Sequence, residues 1–562
     1  MEINQLVFIP VIAPIFSSAL IMVSKTLSPP IWKKIIFKLS IMIAFLISGG
    51  FTLLVGLYTY HNGEIESVIG GYNKGFGISY TFTFISSLIA GLSIIITFVA
   101  YLYDSREAKK VPDYTITLLI QLSSIMMALY TRDLFNLFVA LEIMGITSYV
   151  LISFSRNRDA SYASFSYLLV SSTLMVFFLL GTYGIYRITG SLNYSVIQQR
   201  ISSSTPSLFL IVSISSIIMA ILVRSAIIGL HFWLPSAHAS AKHSVSAVLS
   251  GLLIKIPIIT LLYLIPLFPF SKEIGACISL CGVVTAIVGV IYAFSQSDVK
   301  RLLAYHSVSQ MGYIMASFGG ALQYGINSSI GTILLIGSIS HTMYHAIFKS
   351  TLFLSIGTTV DILQNRDVYQ IRGAAGRLLH TSKAQIVTIV AFFVASCSIV
   401  ALPPFNGFYS KYLITTYLSS HFSFIFLSIT SAFTVASFIK LGRIFFKKER
   451  VFNGEEKKVI SRNKGVLALL IMVFLLIISS IIAVPLIHIL GYTSPIAFYS
   501  ATSIMKTILT FVVGITLFLS LKIDKVKKIT HAIETYEASL GTMMAIIPIS
   551  VATLSIYLFI RI

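Results

Sequence analysis

Glu142 is the carboxylate that lies well inside an apolar run of this 562-residue chain, in Leu134–Phe154, LFNLFVALEIMGITSYVLISF. Because a charge at the centre of a bilayer costs a few kcal/mol, such a residue normally has a partner and a function. Other apolar runs supply basic candidate partners: Arg224, Lys255, His341, His345, Lys349 and Lys411. One buried acid with a row of buried bases predicts an ion or proton pathway. Structural ion pairs between helices are the alternative.

His341, His345 and Lys349 are spaced four residues apart in HTMYHAIFKSTLFL. On a helix this spacing makes a polar stripe about 12 Å long at 1.5 Å per residue. Histidine titrates near neutral pH and relays protons through water, so the stripe predicts lateral proton transfer. Polar packing between helices is one alternative and a zinc site is another. No glutamate follows the first histidine and no third ligand is evident, so we expect no metal.

Lys255 and His306 extend the set of candidates. Lys255 lies in the middle of the apolar stretch GLLIKIPIIT, where a lysine can hold or release a proton as a carboxylate approaches or moves away. Snorkelling of its side chain to the surface is the alternative. His306 comes soon after Lys300 and Arg301, so we expect it near a helix start, where it would cap the helix or line a channel mouth.

The composition restricts the class of protein. It is 56% hydrophobic and 10% charged, as expected of a chain that crosses a membrane many times. The net charge of +21 comes mostly from short loops, where Lys and Arg orient helices, so we exclude nucleic-acid binding. The chain has no CxxC, GxGxxG or P-loop motif. We therefore expect no cofactor, and any redox step would take place in partner subunits.

Apolar runs of about 18 or more residues predict an all-α polytopic membrane protein with about sixteen transmembrane helices. Two are expected to be broken: 206–232, which continues into HFWLP, and 384–418, which contains Pro403–Pro404. The loops after odd-numbered spans are basic, which predicts that they are cytoplasmic and that both termini lie outside. The polar loop Lys447–Lys464 is expected to end a core unit.

Five motifs resemble those of the proton-translocating antiporter-like subunits of respiratory complex I, Mrp-type antiporters and membrane-bound hydrogenases. They occur in family order: LFVALEIMGITSYVLISF, HFWLPSAHASA, DVKRLLAYHSVSQMGY, HTMYHAIFKSTLFL and ALPPFNGFYSKYL. The resemblance covers roughly residues 80–445. His306 stands where complex I subunits usually have serine, so the chain looks closer to the Mrp and hydrogenase branch.

The resemblance implies two inverted five-helix units, each with a broken helix. We expect N-terminal helices in 1–110, the first unit in 111–270, the second in 271–447 and extra helices in 448–562. Glu142 matches the glutamate of the family's fifth helix, and Lys255 the lysine of its eighth. Arg224 stands at the position of the lysine in the first broken helix, and Lys411 at that of the lysine or glutamate in the second. His306, His341, His345 and Lys349 complete the expected pathway.

The function implied is proton or sodium translocation in the prokaryotic inner (cell) membrane, beside other membrane subunits. The first hypothesis is a subunit of a redox-driven oxidoreductase complex such as a membrane-bound hydrogenase or a complex I relative. The alternatives are a subunit of a stand-alone Mrp-type cation/proton antiporter and a structural subunit that has lost transport. The chain has no redox centre of its own, so whether it belongs to an enzyme stays open.

The chain departs from the family pattern around its first broken helix. The family's lysine there is Arg224, and a guanidinium keeps its proton in proteins. Gly229 replaces a proline, Ser236 replaces an acid, and AKHS at 241–244 replaces a proline-containing turn. Arg224 can therefore tune Glu142 but cannot itself pass a proton. These changes predict that the first unit is specialised, coupled to a different neighbour, or less active.

Overall fold

The computed structural model describes residues 6–26, 30–73, 75, 77–105, 111–202, 206–418, 421–446, 463–492, 495–536 and 538–562. Within these residues the chain is almost entirely helical, with a single two-stranded sheet. The predicted all-α polytopic class is thus confirmed. The expected unit boundaries at 110 and 447, and nearly all of the loop Lys447–Lys464, lie outside the described residues.

The N-terminal segment consists of three long helices and a hairpin. The helices are α1, α2 and α3: Ile9–Ser24, Pro30–Asn62 and Phe84–Tyr103. The antiparallel strands β1 (Ile65–Val68) and β2 (Ser79–Phe82) join α2 to α3, with Ile65 opposite Phe82. Helix α3 begins with a capping box made by Thr83 and Ser86, which satisfies the free backbone N–H groups at its start.

The segment expected to form the first unit contains α4 to α10: Pro112–Tyr130, Leu134–Ser153, Arg158–Thr189, Tyr194–Ser202, Leu208–Arg224, Trp233–Ser240 and His243–Leu267. The predicted interruption separates α8 from α9, and Ala226 and Gly229 there have positive φ angles of 59° and 87°. Helix α10 is also irregular, because Leu249–Leu253 forms a π-helical turn.

The segment expected to form the second unit contains α11 to α17: Ser271–Ser295, Val299–Tyr324, Ser329–Leu363, Ala374–Thr381, Ile386–Ile399, Asn406–Tyr417 and His421–Gly442. The second predicted interruption separates α15 from α16 and contains the cis peptide Pro403–Pro404. Proline removes a backbone donor and clashes with the preceding turn, which explains why α15 ends before this pair.

The C-terminal helices are α18 to α22: Asn463–Ile481, Ala483–Ile489, Ala501–Ser520, Asp524–Thr535 and Leu540–Arg561. They pack against the preceding helices, with α20 packed on α17 and α22 packed on α8. Helix α21 has no buried residue, but Glu534 near its end accepts hydrogen bonds from the backbone N–H and hydroxyl of Ser297.

Among the described residues, twelve helices are long and apolar enough to cross a membrane. The apolar helices Ile9–Ser24, Leu208–Arg224 and Lys383–Ile399 are shorter, and α12 is not among the twelve. The expected number of about sixteen is therefore not confirmed. The reason is physical: breaks shorten two of the predicted spans, and α12 carries polar residues along much of its length.

Helices α11 and α12 approach each other closely through glycines. A Cβ on Gly282 would lie 2.3 Å from the backbone N of Ala316, and a Cβ on Gly312 would lie 2.3 Å from that of Ala286. Small residues let membrane helices pack backbone to backbone where no hydrophobic force drives them together. This contact fixes the position of α12, which carries His306 into the interior.

We expect Gly312→Ala to destabilise the protein by about 1–3 kcal/mol, because the added methyl group must push two backbones apart. Gly376→Ala is the matched control, since a Cβ at Gly376 meets nothing within 4 Å. The midpoint of thermal unfolding in detergent measures the effect. Equal midpoints for Gly312→Ala and the control would contradict the packing described above.

Candidate ion pathway

Arg224 is the last residue of α8, and its guanidinium reaches toward α5. Nη1 donates a hydrogen bond of 2.6 Å to the carbonyl O of Leu141. Nη2 lies 3.9 Å from Oε2 of Glu142. A Cβ on Gly145 would lie 3.0 Å from Nη1, so the glycine one turn beyond Glu142 leaves the space that the guanidinium needs. The two residues that the sequence pairs are therefore brought together, although loosely.

The burial of the two partners differs. The Arg224 side chain is 2% exposed, whereas that of Glu142 is 23% exposed. Glu142 lies on the outward side of α5, where Phe135 and Ile146 are exposed too. The expectation of a fully buried acid is thus wrong, because no described helix of this chain covers that side of α5. What results is a buried cation beside a carboxylate at the lateral surface.

Lys255 lies where α10 is irregular, and its side chain stays inside the protein instead of snorkelling. Its ammonium donates to the carbonyl O of Ser250, which belongs to the π-helical turn. Pro257 follows and has no N–H to donate. The turn and the proline interrupt the regular backbone hydrogen bonds, so carbonyl groups become available to a buried cation.

The predicted stripe on α13 is buried in the core. Nδ1 of His341 lies 2.9 Å from Oγ of Ser410, and its Nε2 lies 3.2 Å from Oε1 of Gln310. The His345 ring is parallel to that of His341, with 6.1 Å between the centroids. Neither ring nitrogen of His345 has a hydrogen-bond partner within the described part of the chain. Lys349 donates to the carbonyl O of Leu303 on α12.

Lys411 lies on α16, beyond the second interruption, and reaches back across it. Its Nζ donates a hydrogen bond of 2.8 Å to the carbonyl O of Ile399, the last residue of α15. The ammonium also lies 4.8 Å from the ring centroid of Tyr313. Ser410 and Lys411 are neighbours on α16. Ser410 contacts His341 of the stripe, and Lys411 contacts the end of α15 at the break.

A cavity of about 200 Å³ lies next to Lys411, between α16, α17 and α20. Hydroxyl groups line much of it: Thr415, Thr416, Ser428, Ser431, Ser503, Thr507 and Thr510. Lys506 of α20 lines it as well and lies 5.0 Å from the Phe424 ring centroid. Lys411 therefore lines this cavity together with hydroxyl groups from α16, α17 and α20.

His306 is placed differently from our expectation. It lies about two turns inside α12, since the helix begins at Val299, and it is 0% exposed. The helix is capped instead by Asp298, whose carboxylate accepts from the backbone N–H groups of Lys300 and Arg301. The expectation that His306 caps the helix is therefore wrong. Its ring packs against Phe438, 5.0 Å away, in the core.

Several buried titratable groups were missed by the sequence analysis. Lys300 is not among our candidate residues, but it is 3% exposed and donates to the carbonyl O of Ala241 at 2.6 Å. Lys440 is equally buried and donates to the carbonyl groups of Phe294 and Gln296. Lys440 lies well inside an apolar run, so a search for every basic residue within a span would have found it. His231 and His238 lie inside a quoted motif and are buried as well.

The buried lysines and imidazoles are electrostatic neighbours of one another. Lys255 interacts electrostatically with His345 and Lys349, and Lys411 interacts with His341. Lysines next to imidazoles give alternating groups that can hold and release a proton. Among the described residues, no group of three or more His, Cys, Asp or Glu side chains could hold a metal ion.

Comparison with known proteins identifies the family. The family described as NADH:quinone oxidoreductase/Mrp antiporter, TM matches residues 131–439, which is more than half of the chain, and the chain belongs to this family. A subunit of the Na(+)/H(+) antiporter of Alkalihalophilus pseudofirmus is 27% identical over 462 residues, covering 81% of this chain and 88% of that protein. A putative antiporter subunit mnhD2 of Staphylococcus aureus is 27% identical over 486 residues, covering 85% and 93%.

Two solved structures share the fold. A chain of the membrane-bound sulfane sulfur reductase, an archaeal respiratory membrane complex, superposes with a TM-score of 0.74 and 21% identity, covering 92% of this chain and 99% of that one. A chain of the Mrp complex from Dietzia sp. DQ12-45-1b superposes with a TM-score of 0.70 and 19% identity, covering 97% and 100%.

We expect Glu142→Gln to reduce both transport and stability, because it leaves Arg224 as an uncompensated buried cation. The loss should be about 1–3 kcal/mol, below the roughly 3–5 kcal/mol typical of a fully buried pair, since Glu142 is partly exposed. Adding Arg224→Gln should restore stability but not transport. Thermal unfolding and transport in proteoliposomes measure the two effects. Normal transport by Glu142→Gln would remove the carboxylate from the pathway.

Arg224→Lys should retain transport but change its pH dependence, because an ammonium can release a proton whereas a guanidinium keeps it. Transport rates measured in proteoliposomes at a series of pH values test this expectation. Identical pH profiles for the arginine and lysine forms would mean that position 224 never needs to titrate.

Proposed function

We propose that this chain carries protons, or sodium in exchange for protons, across the membrane along its buried side chains. The family and the apolar helices support an ion-translocating membrane subunit. One observation carries the finer proposal: the buried row of His341, His345 and Lys349, which has Lys411 near one end and Lys255 beside it. Glu142, Arg224 and His306 complete the pathway.

In the second unit, Lys411 would be the terminal proton carrier. Its ammonium is stabilised by the carbonyl dipole of Ile399 and the face of the Tyr313 ring, so it can lose its proton without separating from a carboxylate. A neutral imidazole accepts a proton at one nitrogen and releases one from the other. His341, hydrogen-bonded to Ser410, is placed to exchange protons with Lys411 through that hydroxyl or through water.

In the first unit, Glu142 would be the titrating group and Arg224 its fixed counter-charge. The guanidinium keeps its proton, so only the carboxylate can alternate between charged and neutral forms. Because Glu142 is 23% exposed and lies in the middle of the apolar helix α5, we propose that another membrane subunit covers it in the assembled complex. The first unit would then couple to that neighbour.

Two kinds of complex fit this chain, and each has its own supporting observation. The antiporter subunits related in sequence favour an Mrp-type cation/proton antiporter. The redox-driven complex of our first hypothesis also fits, because a chain of a respiratory membrane complex shares the fold, as a chain of the Mrp complex does. Purification from the native membrane and identification of the co-purifying subunits distinguishes them. Companions that carry iron–sulfur or nickel centres indicate the redox-driven complex, and small membrane subunits alone indicate the antiporter.

Lys411→Ala should abolish ion-coupled transport while the protein still assembles in the membrane, because it removes the terminal carrier of the second unit. Lys255→Ala should have a similar effect, since an apolar side chain interrupts the relay. His345→Ala alone should only slow transport, because water can bypass one imidazole. Transport by the assembled complex in proteoliposomes measures each rate.

Lys272→Ala is the matched control, because Lys272 is an exposed lysine at the start of α11. It should transport at the wild-type rate. Wild-type transport by Lys411→Ala would remove Lys411 from the pathway, and normal transport by both Lys411→Ala and Lys255→Ala would refute the proposed function.

A further inference from the structure

The four-residue spacing of the stripe continues along α13 beyond Lys349. The next positions are Phe353, Gly357 and Asp361, which lie on successive turns toward the end of the helix. From His341 to Asp361 this series is about 30 Å long at 1.5 Å per residue, close to the thickness of the hydrocarbon core. Phe353 and Gly357 cannot carry a proton, but each contacts a histidine of another segment.

The histidine at Phe353 is His238 of α9. Its ring stacks on the Phe353 ring with 4.6 Å between the centroids. The ammonium of Lys349 lies 5.7 Å from the same ring. His238 is 0% exposed, and neither of its ring nitrogens has a hydrogen-bond partner among the residues described. An imidazole thus occupies the stripe at the level where α13 itself has an apolar residue.

The histidine at Gly357 is His243, the first residue of α10. A Cβ on Gly357 would lie 2.3 Å from Cγ and 2.7 Å from Nδ1 of His243, so the imidazole fills the space that the glycine leaves. Nε2 of His243 lies 3.1 Å from Oδ1 of Asp361, one turn further along α13. Gly357 therefore leaves room for the His243 ring, and Asp361 holds it in place.

This pair lies at an opening of the protein. The Asp361 side chain is 39% exposed and that of His243 is 15% exposed, whereas His238 and Lys349 are fully buried. The charged and titratable groups around His243 come from the neighbouring helices and from its own segment: Asp104, Lys300, Asp361 and Lys242. Lys300 also interacts electrostatically with His238, so it lies near both imidazoles.

We propose that His243 and Asp361 form the proton-uptake site of the second unit, and that His238 connects this site to Lys349. The inference rests on the proposed function, since it names where the protons of that pathway enter. The membrane face concerned carries Lys242, Lys300 and Arg366, and the charge pattern predicts that it is cytoplasmic.

The transfer moves one proton and involves no change of oxidation state. Asp361 and His243 take up a proton from water, which the imidazole holds on Nε2 beside the carboxylate. His243 releases a proton from its other nitrogen, Nδ1, which is buried next to Gly357. Water carries it to His238, and His238 passes it to Lys349 at the end of the stripe. The positive charge of Lys300 disfavours a proton that stays on either imidazole.

A purely structural ion pair is the competing explanation, and the surroundings weigh against it. A structural pair needs no second histidine behind it, whereas here His238 stands between the pair and Lys349 with both ring nitrogens unpartnered in the described structure. Half-exposed ion pairs also contribute little to stability. The two explanations differ in how transport should respond to pH.

The test uses the complete complex in proteoliposomes, with protons as the probe and a pH-sensitive dye to follow them. We expect His243→Gln and Asp361→Asn to reduce the rate by about tenfold or more, since positioned proton-transfer groups contribute roughly 10²–10⁴-fold. The rate should also become nearly independent of pH on this face between about pH 5 and 8, where histidine titrates. The exchanged pair, His243→Asp with Asp361→His, should regain much of the rate and the pH dependence.

His531→Gln is the control, because His531 is an exposed histidine on α21, and it should leave rate and pH profile unchanged. If Lys411→Ala abolishes transport but His243→Gln and Asp361→Asn keep the wild-type rate and pH profile, the uptake site is wrong and the proposed function stands. If Lys411→Ala and Lys255→Ala also transport normally, the proposed function itself fails. Should His243→Gln not assemble, Asp361→Asn decides alone, since its amide has nearly the shape of the carboxyl group.

Discussion

Hydrogen bonds from buried cations to backbone carbonyl groups are the interaction on which the interior of this protein depends. Lys255 donates to the carbonyl of Ser250 in a π-helical turn, and Lys411 donates to that of Ile399 at a helix end. The same kind of bond holds the other buried cations: Arg224, Lys300, Lys349 and Lys440. A carbonyl dipole reduces the cost of burying an ammonium but does not neutralise it. A lysine held in this way can release its proton without breaking an ion pair.

This requirement explains how Lys411 uses the second interrupted helix. A regular helix uses its carbonyl groups internally, and only the last four are free at its C-terminal end, where the helix dipole also favours a cation. Arg224 ends α8, and Lys411 reaches back from α16 to the last carbonyl of α15. Lys411 therefore uses a carbonyl group at the end of its broken helix, whereas Arg224, the last residue of α8, donates to the carbonyl O of Leu141 inside α5.

The sequence predicts those parts of the fold that depend on local chemistry. Apolar runs locate the helices, Pro403–Pro404 locates the second break, and the spacing of His341, His345 and Lys349 puts them on successive turns. It does not predict the π-helical turn at Lys255, because no residue in that stretch is specific for this geometry. Nor does it predict the exposure of Glu142, which depends on what lies beside α5.

The contact between His243 and Asp361 shows a second limit. The two residues are 118 positions apart, and they meet only because Gly357 leaves room for the imidazole. A lone glycine in an apolar helix has many possible reasons, so it does not indicate a histidine from another segment. The family resemblance marked 241–244 as a departure but gave no partner for it. Only the three-dimensional structure shows that His243, in the departing segment 241–244, contacts α13 beyond Lys349.

Around α9, residues that depart from the family pattern affect where titratable groups lie at this face of the membrane. Ser236, where the family resemblance implies an acid, lines an open cavity of about 530 Å³ together with Arg301 of α12 and polar residues of α6. His243 turns away from that cavity and toward α13. Under the proposed function, the first unit would have a serine and a permanently charged Arg224 where proton carriers are expected, while the second would gain an imidazole and a carboxylate. Proton uptake from this face would then be concentrated in the second unit, and Glu142 would lie at the lateral surface, where a neighbouring subunit would cover it.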